Sequence, residues 1–436
     1  MQIPVIMVLP SSVAMSAGVV EGGTFPQGLQ LDPNYPMVPF GGNGPAITAA
    51  FGDETEREQH YVVRGFVEAS LEDPPQMLDG HVVYADPEIA PFVTCGADAV
   101  GAASDVATLL QTDELLRRGM DGTNVGVVIL DTGINLTHLE SVLGYVPNFD
   151  SANSWTPPGV GWTAGDAPVD HGTMCAFDAL IAAPSATLID YPILSANAPT
   201  GGSVMSGFLS TALLAFAGIH GSWNSGVGSG DLSQYSGLVV SNSWGIFHPS
   251  WDFPAGHPGR YCDNPNHPFI LQLETMSMGA IDVFFAAGNC GADCPDGRCQ
   301  NRSVESIMGA SASVDALSIA GCDINNERVG YSSQGPSIAG MYGMKPDFTA
   351  YTHFLGSQAF GVDVPDSGTS AACPVAAGCM AALRTHISPR TPATPYMMYS
   401  HFRQQATTPA GQSTGWNGDY GYGIINTVPI AVGFGH

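Results

Sequence analysis

Cationic side chains are scarce in this 436-residue chain: twelve lysines and arginines, of which Lys345 is the one lysine, face 39 acids and leave a net charge of −27. Phosphate binding needs clustered cations, so nucleic acid is excluded as a partner. Long apolar runs are missing too. The longest, Val204 to His220, is interrupted by Ser206, Gly207, Ser210 and Thr211. It falls short of the ~20 residues of a membrane span, so a buried helix is expected there and no membrane span. The apolar stretch from Ile3 to Leu9 lacks a positively charged flank and meets Pro10 early, which makes it a poor signal peptide and a better strand. No repeat of fixed period and no low-complexity tract occurs.

Glycine and proline are plentiful, 54 and 33 residues, which predicts many turns without reaching a disordered composition. The length suits one large α/β domain with a smaller one. An acidic surface favours solubility, cationic substrates and structural calcium, for which no ligand is singled out. Nine cysteines, an odd number, leave at least one unpaired within the chain. Cys290, Cys294 and Cys299 crowd a Gly/Asp/Pro loop with no second Cys-x-x-Cys pair and no nearby histidine, so disulfides are expected there in preference to a metal. Disulfides in turn favour a secreted or extracellular location. Cys175 and Cys373 lie in apolar, helix-compatible stretches and read as inert buried thiols.

Residues 1–55 look irregular apart from Ile3 to Leu9. His60 to Val67 and His81 to Tyr84 are β-branched and aromatic runs between turn formers, two strands of a small α/β unit. The Gly/Ala segment from Gly96 to Ser104 reads as a linker. The expected organisation is therefore an N-terminal extension, residues 1–100, followed by a larger domain, residues 101–436. In the larger domain, Asp105 to Gly119 has helical spacing, and Asn124 to Leu130 is the continuous apolar run of a buried parallel strand. Strand candidates at 186–193, 237–242, 280–287 and 316–320 alternate with helix candidates at 174–183, 204–218 and 269–278. That alternation predicts an α/β fold with a central, mainly parallel sheet and helices on both faces.

Asp366-Ser-Gly-Thr-Ser370-Ala-Ala-Cys-Pro374 places a serine just ahead of a small-residue helix. Gly368 permits a tight turn and Pro374 suits a first helical turn, so the helix is expected to begin close to Ser370. The free N–H groups of that turn favour an oxyanion beside the serine. Ser370 is thus a candidate nucleophile, against the plainer alternative of an ordinary N-cap. Asp131-Thr-Gly133 ends the apolar strand, where open α/β sheets place their active sites, and Asp170-His171-Gly-Thr173 precedes a helix. The order Asp131, His171, Ser370 is one of the convergent orders of a Ser-His-Asp site. Asp170 and Asp366, as sequence neighbours of His171 and Ser370, read as loop or cap residues.

Three blocks, Val127-Val-Ile-Leu-Asp131-Thr-Gly-Ile134, His171-Gly-Thr173 and Gly368-Thr-Ser370-Ala-Ala-Cys-Pro374, together resemble the motif blocks of the subtilases, the subtilisin-like serine peptidases. Ser241-Asn-Ser-Trp-Gly245, Ala286-Ala-Gly-Asn289, Ser332-Ser-Gln-Gly-Pro336 and Lys345-Pro-Asp347 extend the likeness. The resemblance implies a subtilisin-like three-layer fold and a serine endopeptidase acting on protein or peptide substrates, with no required cofactor. Ser370 would be the nucleophile, His171 the base, Asp131 its orienting carboxylate, and Asn289 an oxyanion donor beside the Ser370 N–H. Ser243, Trp244 and Gly245 would wall the pocket for the residue before the cleaved bond, with Trp244 equally placed to be a core aromatic. An extended strand near Gly201 to Met205 would pair with substrate backbone. Residues 1–92, with Val82 to Glu88 as a last strand, would form an inhibitory prodomain or else a permanent extension. A peptide-binding pseudoprotease and an esterase would use the same residues. His171 and Asn289 speak against the serine-carboxyl peptidases, which carry glutamate and aspartate at those places. Nothing in the residues bears on oligomeric state.

Overall fold

The computed structural model describes every residue except 15–25, 43, 53–57, 92–97, 157–159, 195–206, 226–230 and 391. Its first 85 residues fold around an antiparallel sheet of β1 (Gln2–Pro10), β2 (Leu29–Leu31), β3 (Val38–Phe40), β4 (His60–Glu68), β5 (Met77–Leu78) and β6 (His81–Ala85), in the order β2-β4-β1-β6-β5 with β3 also on β4. Strand side chains alternate between faces. Ile3, Val5, Met7 and Leu9 of β1 accordingly pack with Val63, Val67 and Val83, whereas Ile6 and Val8 join Val38 and Phe40 in a core shared with the rest of the chain. The stretch expected to be irregular also holds β2, β3 and the helix Pro45–Phe51. Strands of three residues are too short to show a period, which is why composition hides them.

Next come β7 (Glu88–Pro91), β8 (Val125–Leu130), β9 (Asn148–Phe149), β10 (Thr187–Tyr191) and β11 (Gly207–Phe208). The remaining strands are β12 (Gly237–Asn242), β13 (Trp244–Gly245), β14 (Asp282–Ala286), β15 (Leu317–Cys322) and β16 (Phe348–Tyr351). Seven of them form a sheet in the order β16-β15-β14-β12-β8-β10-β9, every pairing parallel. Val125, Val127 and Ile129 of β8 face the helix Thr369–Arg384, while Val128 and Leu130 face the helices Leu209–Ser225 and Pro268–Met278. Burial on both faces is the reason β8 reads as an unbroken apolar run. The result is the expected three-layer α/β architecture.

Asp105 to Gly119 is two helices, Ala103–Leu109 and Thr112–Arg117, broken where Gln111 adopts φ 56°. The helix expected at 204–218 occupies Leu209–Ser225 instead, and His171, not Met174, opens the helix His171–Leu180. The N-terminal sheet docks on the Leu209–Ser225 and Pro268–Met278 side. Glu274 accepts from the N–H groups of Ala46 (3.0 Å) and Ile47 (3.2 Å), and buried Asp86 accepts from Ser210 N (2.8 Å) and Oγ (2.9 Å) while pairing with Arg64 Nε (2.7 Å).

Candidate active site

β8, β12 and β14 bring the site residues to the carboxyl ends of the parallel sheet, where such sheets bind ligands. Asp131 follows β8 and is buried. His171 is the first residue of its helix, which Asp170 caps by accepting from His171 N at 2.7 Å, so Asp170 is a cap as expected. Gly172 packs so closely on Gly133 that an added Cβ would lie 2.6 Å from the Gly133 carbonyl oxygen, a contact no other residue allows. This approach lets His171 Nδ1–H donate to Asp131 Oδ1 at 2.8 Å, with both side chains buried. Such a bond selects one ring tautomer and stabilises an imidazolium.

Ser370 is the second residue of the helix Thr369–Arg384, entered through Gly368 at φ 82°. Pro374 lies in the second turn of that helix, not the first. Its missing N–H would have served the Ser370 carbonyl four residues back. That carbonyl accepts instead from Ser243 Oγ (2.9 Å) and Cys175 Sγ (3.5 Å), while Ser370 Oγ donates to the Ser243 carbonyl at 3.3 Å. Asn289, just beyond β14, accepts at Oδ1 from Thr369 N (2.9 Å) and Thr369 Oγ1 (3.0 Å), which fixes the amide with Nδ2 turned away from Thr369.

Cys175 is buried as expected, but it is also part of the site. It sits one helical turn after His171, and its thiol is 3.7 Å from both Asp131 Oδ2 and His171 Nδ1. The three residues hold ligand-type atoms within 4.8 Å of one another. Burial first, then the charge of Asp131, push this thiol well above its ordinary pKa, so it is a protonated donor and a poor thiolate ligand. Its spacing of four from His171 on a helix was the available signal.

Ser243 is buried and supports the Ser370 turn from behind. The Trp244 side chain is fully buried against Phe269 and Phe285, with ring centroids 5.9 and 5.2 Å away, so it is a core aromatic that leaves its backbone alone to line a cleft. That backbone belongs to a three-stranded antiparallel sheet in the order β11-β7-β13. Ile89 pairs with Gly207 and Glu88 with Phe208 on one side; Pro91 pairs with Trp244 and Ala90 with Gly245 on the other. Gly201 to Met205 lie outside the described residues, and β11 is the described neighbour on that side.

The three-layer parallel α/β sheet thus carries a hydrogen-bonded Asp–His pair and a helix-borne serine at its carboxyl edge, where such sheets bind ligands. The family model of the subtilase family matches residues 122–423, and the chain belongs to that family as a serine peptidase. Among solved structures, a lanthipeptide protease is similar in fold, with a TM-score of 0.51 and 18% identity over 76% of this chain and 94% of its own. No curated protein matches the chain.

Proposed function

We propose that this peptidase is an endopeptidase made as a precursor whose N-terminal unit lies in its own substrate cleft. Ser370 attacks the scissile carbonyl, His171 takes its proton and returns it to the leaving amine, and Asp131 steadies the imidazolium. Asn289 Nδ2 and the Ser370 N–H receive the oxyanion. The observation that carries this chemistry is the 2.8 Å bond between His171 Nδ1 and Asp131, beside a serine in the first turn of a helix.

The antiparallel seat of β7 between β11 and β13 supports the precursor reading, because an added strand is how a cleft takes an extended peptide through its main chain. In a substrate bound on the same register, the residue after the one in Pro91's place falls opposite Ser243, the partner of Ser370 Oγ. Residues 1–91 then act as an inhibitory prodomain. Main-chain pairing gives broad side-chain tolerance. The Cys290–Cys299 disulfide and a further disulfide at Cys294 support an extracellular location.

The test is N-terminal sequencing of wild type and Ser370→Ala after incubation, with an unfolded protein as added substrate. A new terminus between residues 90 and 105 and substrate cleavage are expected in wild type alone. Full cleavage by Ser370→Ala would sink the assignment of the nucleophile.

A further inference from the structure

The loop beyond Asn289 is closed by the Cys290–Cys299 disulfide and carries Arg298. Asp296 accepts from Arg298 N (2.8 Å), Nε (3.1 Å) and Nη2 (2.8 Å), so the guanidinium is held from its own turn. Phe247 lies beneath it, the ring centroid 3.7 Å from the guanidinium carbon. Nη2 also donates to the carbonyl of Pro91, the last residue of β7, at 2.9 Å. Nη1 is buried with no hydrogen-bond partner among the described residues, which leaves the fork a second donor.

The geometry points to Arg298 as a substrate-binding residue that grips the backbone carbonyl of the substrate residue immediately preceding the one whose bond is cut. This rests on the proposed function, in which β7 occupies the place of a substrate strand. On that register Pro91 stands opposite Trp244, one step ahead of the residue opposite Ser243, which is the one Ser370 reaches. Proline has a carbonyl but no N–H, so the carbonyl is the only main-chain handle at that position. A hydrogen bond from a cation is stronger than an ordinary ladder bond. The disulfide, Asp296 and Phe247 already order the side chain, so little freedom is lost when substrate arrives. Because the contact reads backbone, it favours peptides with at least one residue ahead of the cleaved one, proline included, over short acyl groups.

The experiment compares full-length wild type, Arg298→Met and Arg298→Lys, each left to process itself. One substrate is a blocked Ile-Ala-Pro-Phe nitroanilide, the sequence Ile89 to Phe92. The other is the nitrophenyl ester of 3-phenylpropanoic acid, which has no carbonyl ahead of the cleaved one. The ratio of peptide to ester kcat/KM should fall about tenfold to a hundredfold in Arg298→Met. The loss should lie chiefly in KM, because the carbonyl is held alike before and during attack. Arg298→Lys keeps a cationic donor and should recover part of the ratio. An unchanged ratio in both variants, or a loss confined to kcat, would overturn the clamp alone. Wild type inactive on both substrates would overturn the proposed function and the clamp with it.

Discussion

Asn289 and Thr369 are joined twice: the Asn289 side-chain oxygen accepts from both the backbone N–H and the hydroxyl of Thr369. The same hydroxyl accepts from Gly288 N at 3.0 Å, so the end of β14 and the start of the serine helix are one hydrogen-bonded unit. On the proposed oxyanion role, in which the amide acts on the transition state, Asn289→Ala should lower kcat by about 10²–10³ with little change in KM. Thr369→Val, which keeps the N–H bond, should cost about tenfold. Steady-state kinetics on a peptide nitroanilide checks both, and an unchanged kcat in Asn289→Ala would remove the oxyanion role.

A second prediction concerns Asp178, two turns after His171 on the same helix, and Asp366, ahead of the serine helix. Asp366 accepts from Ser357 N at 2.5 Å and from the Ser357 hydroxyl, and burial raises its pKa to about 6. Asp178 faces it, and burial followed by the charge of Asp366 pushes this carboxyl well above its ordinary range. The folded chain thus keeps protons that the unfolded chain, with carboxyls near 3.9, releases. Their stabilising contribution is complete below about pH 4 and is lost as pH rises through about 6 for Asp366 and higher for Asp178. Asp178→Asn, in a Ser370→Ala background that prevents self-digestion, should lose less melting temperature between pH 5 and pH 9 than its parent. Parallel melting curves would mean that the pair does not titrate in this window.

The N-terminal unit is anchored through Glu274, whose carboxylate caps the helix Pro45–Phe51. Losing such a cap costs about 0.5–2 kcal/mol. In Glu274→Ala the amides of Ala46 and Ile47 should exchange with deuterium several-fold to about thirtyfold faster. Unchanged protection would show that other contacts hold the unit.

Arg384, fully buried, meets Asp282 through Nε (2.6 Å) and Nη2 (2.8 Å) and the Ala393 carbonyl through Nη1 (2.6 Å). Arg384→Met leaves the Asp282 charge uncompensated and should cost about 3–5 kcal/mol in denaturant unfolding. Adding Asp282→Leu should restore much of that loss. No recovery in the double variant would place the cost in packing instead.

Asp131 and Asn289 could be singled out from the sequence because the apolar runs of β8 and β14 give way to glycine beside them, and His171 and Ser370 because each has a glycine within two residues at a loop–helix junction, a local pattern. The parallel sheet was legible for the same reason, through continuous runs such as β8. β16 and the helix Pro395–Gln405 were not, since four strand residues and a mixed polar surface give no period to count. The orientation of Trp244 depends on which face of a two-residue strand turns to the core, and only Phe269 and Phe285 decide that. Pro374 was misplaced by one turn because its tolerance comes from Ser243 and Cys175, both distant in sequence.

The lone lysine has a practical consequence. Lys345 is buried, its ammonium bonded to the Ala316 carbonyl (2.7 Å) and to Asp347 (2.5 Å). The folded surface therefore presents no lysine to amine-directed cross-linkers, acylating reagents or peptidases that cut after lysine. One lysine introduced at an exposed loop would become the one exposed lysine side chain, an attachment point shared with the α-amino group alone.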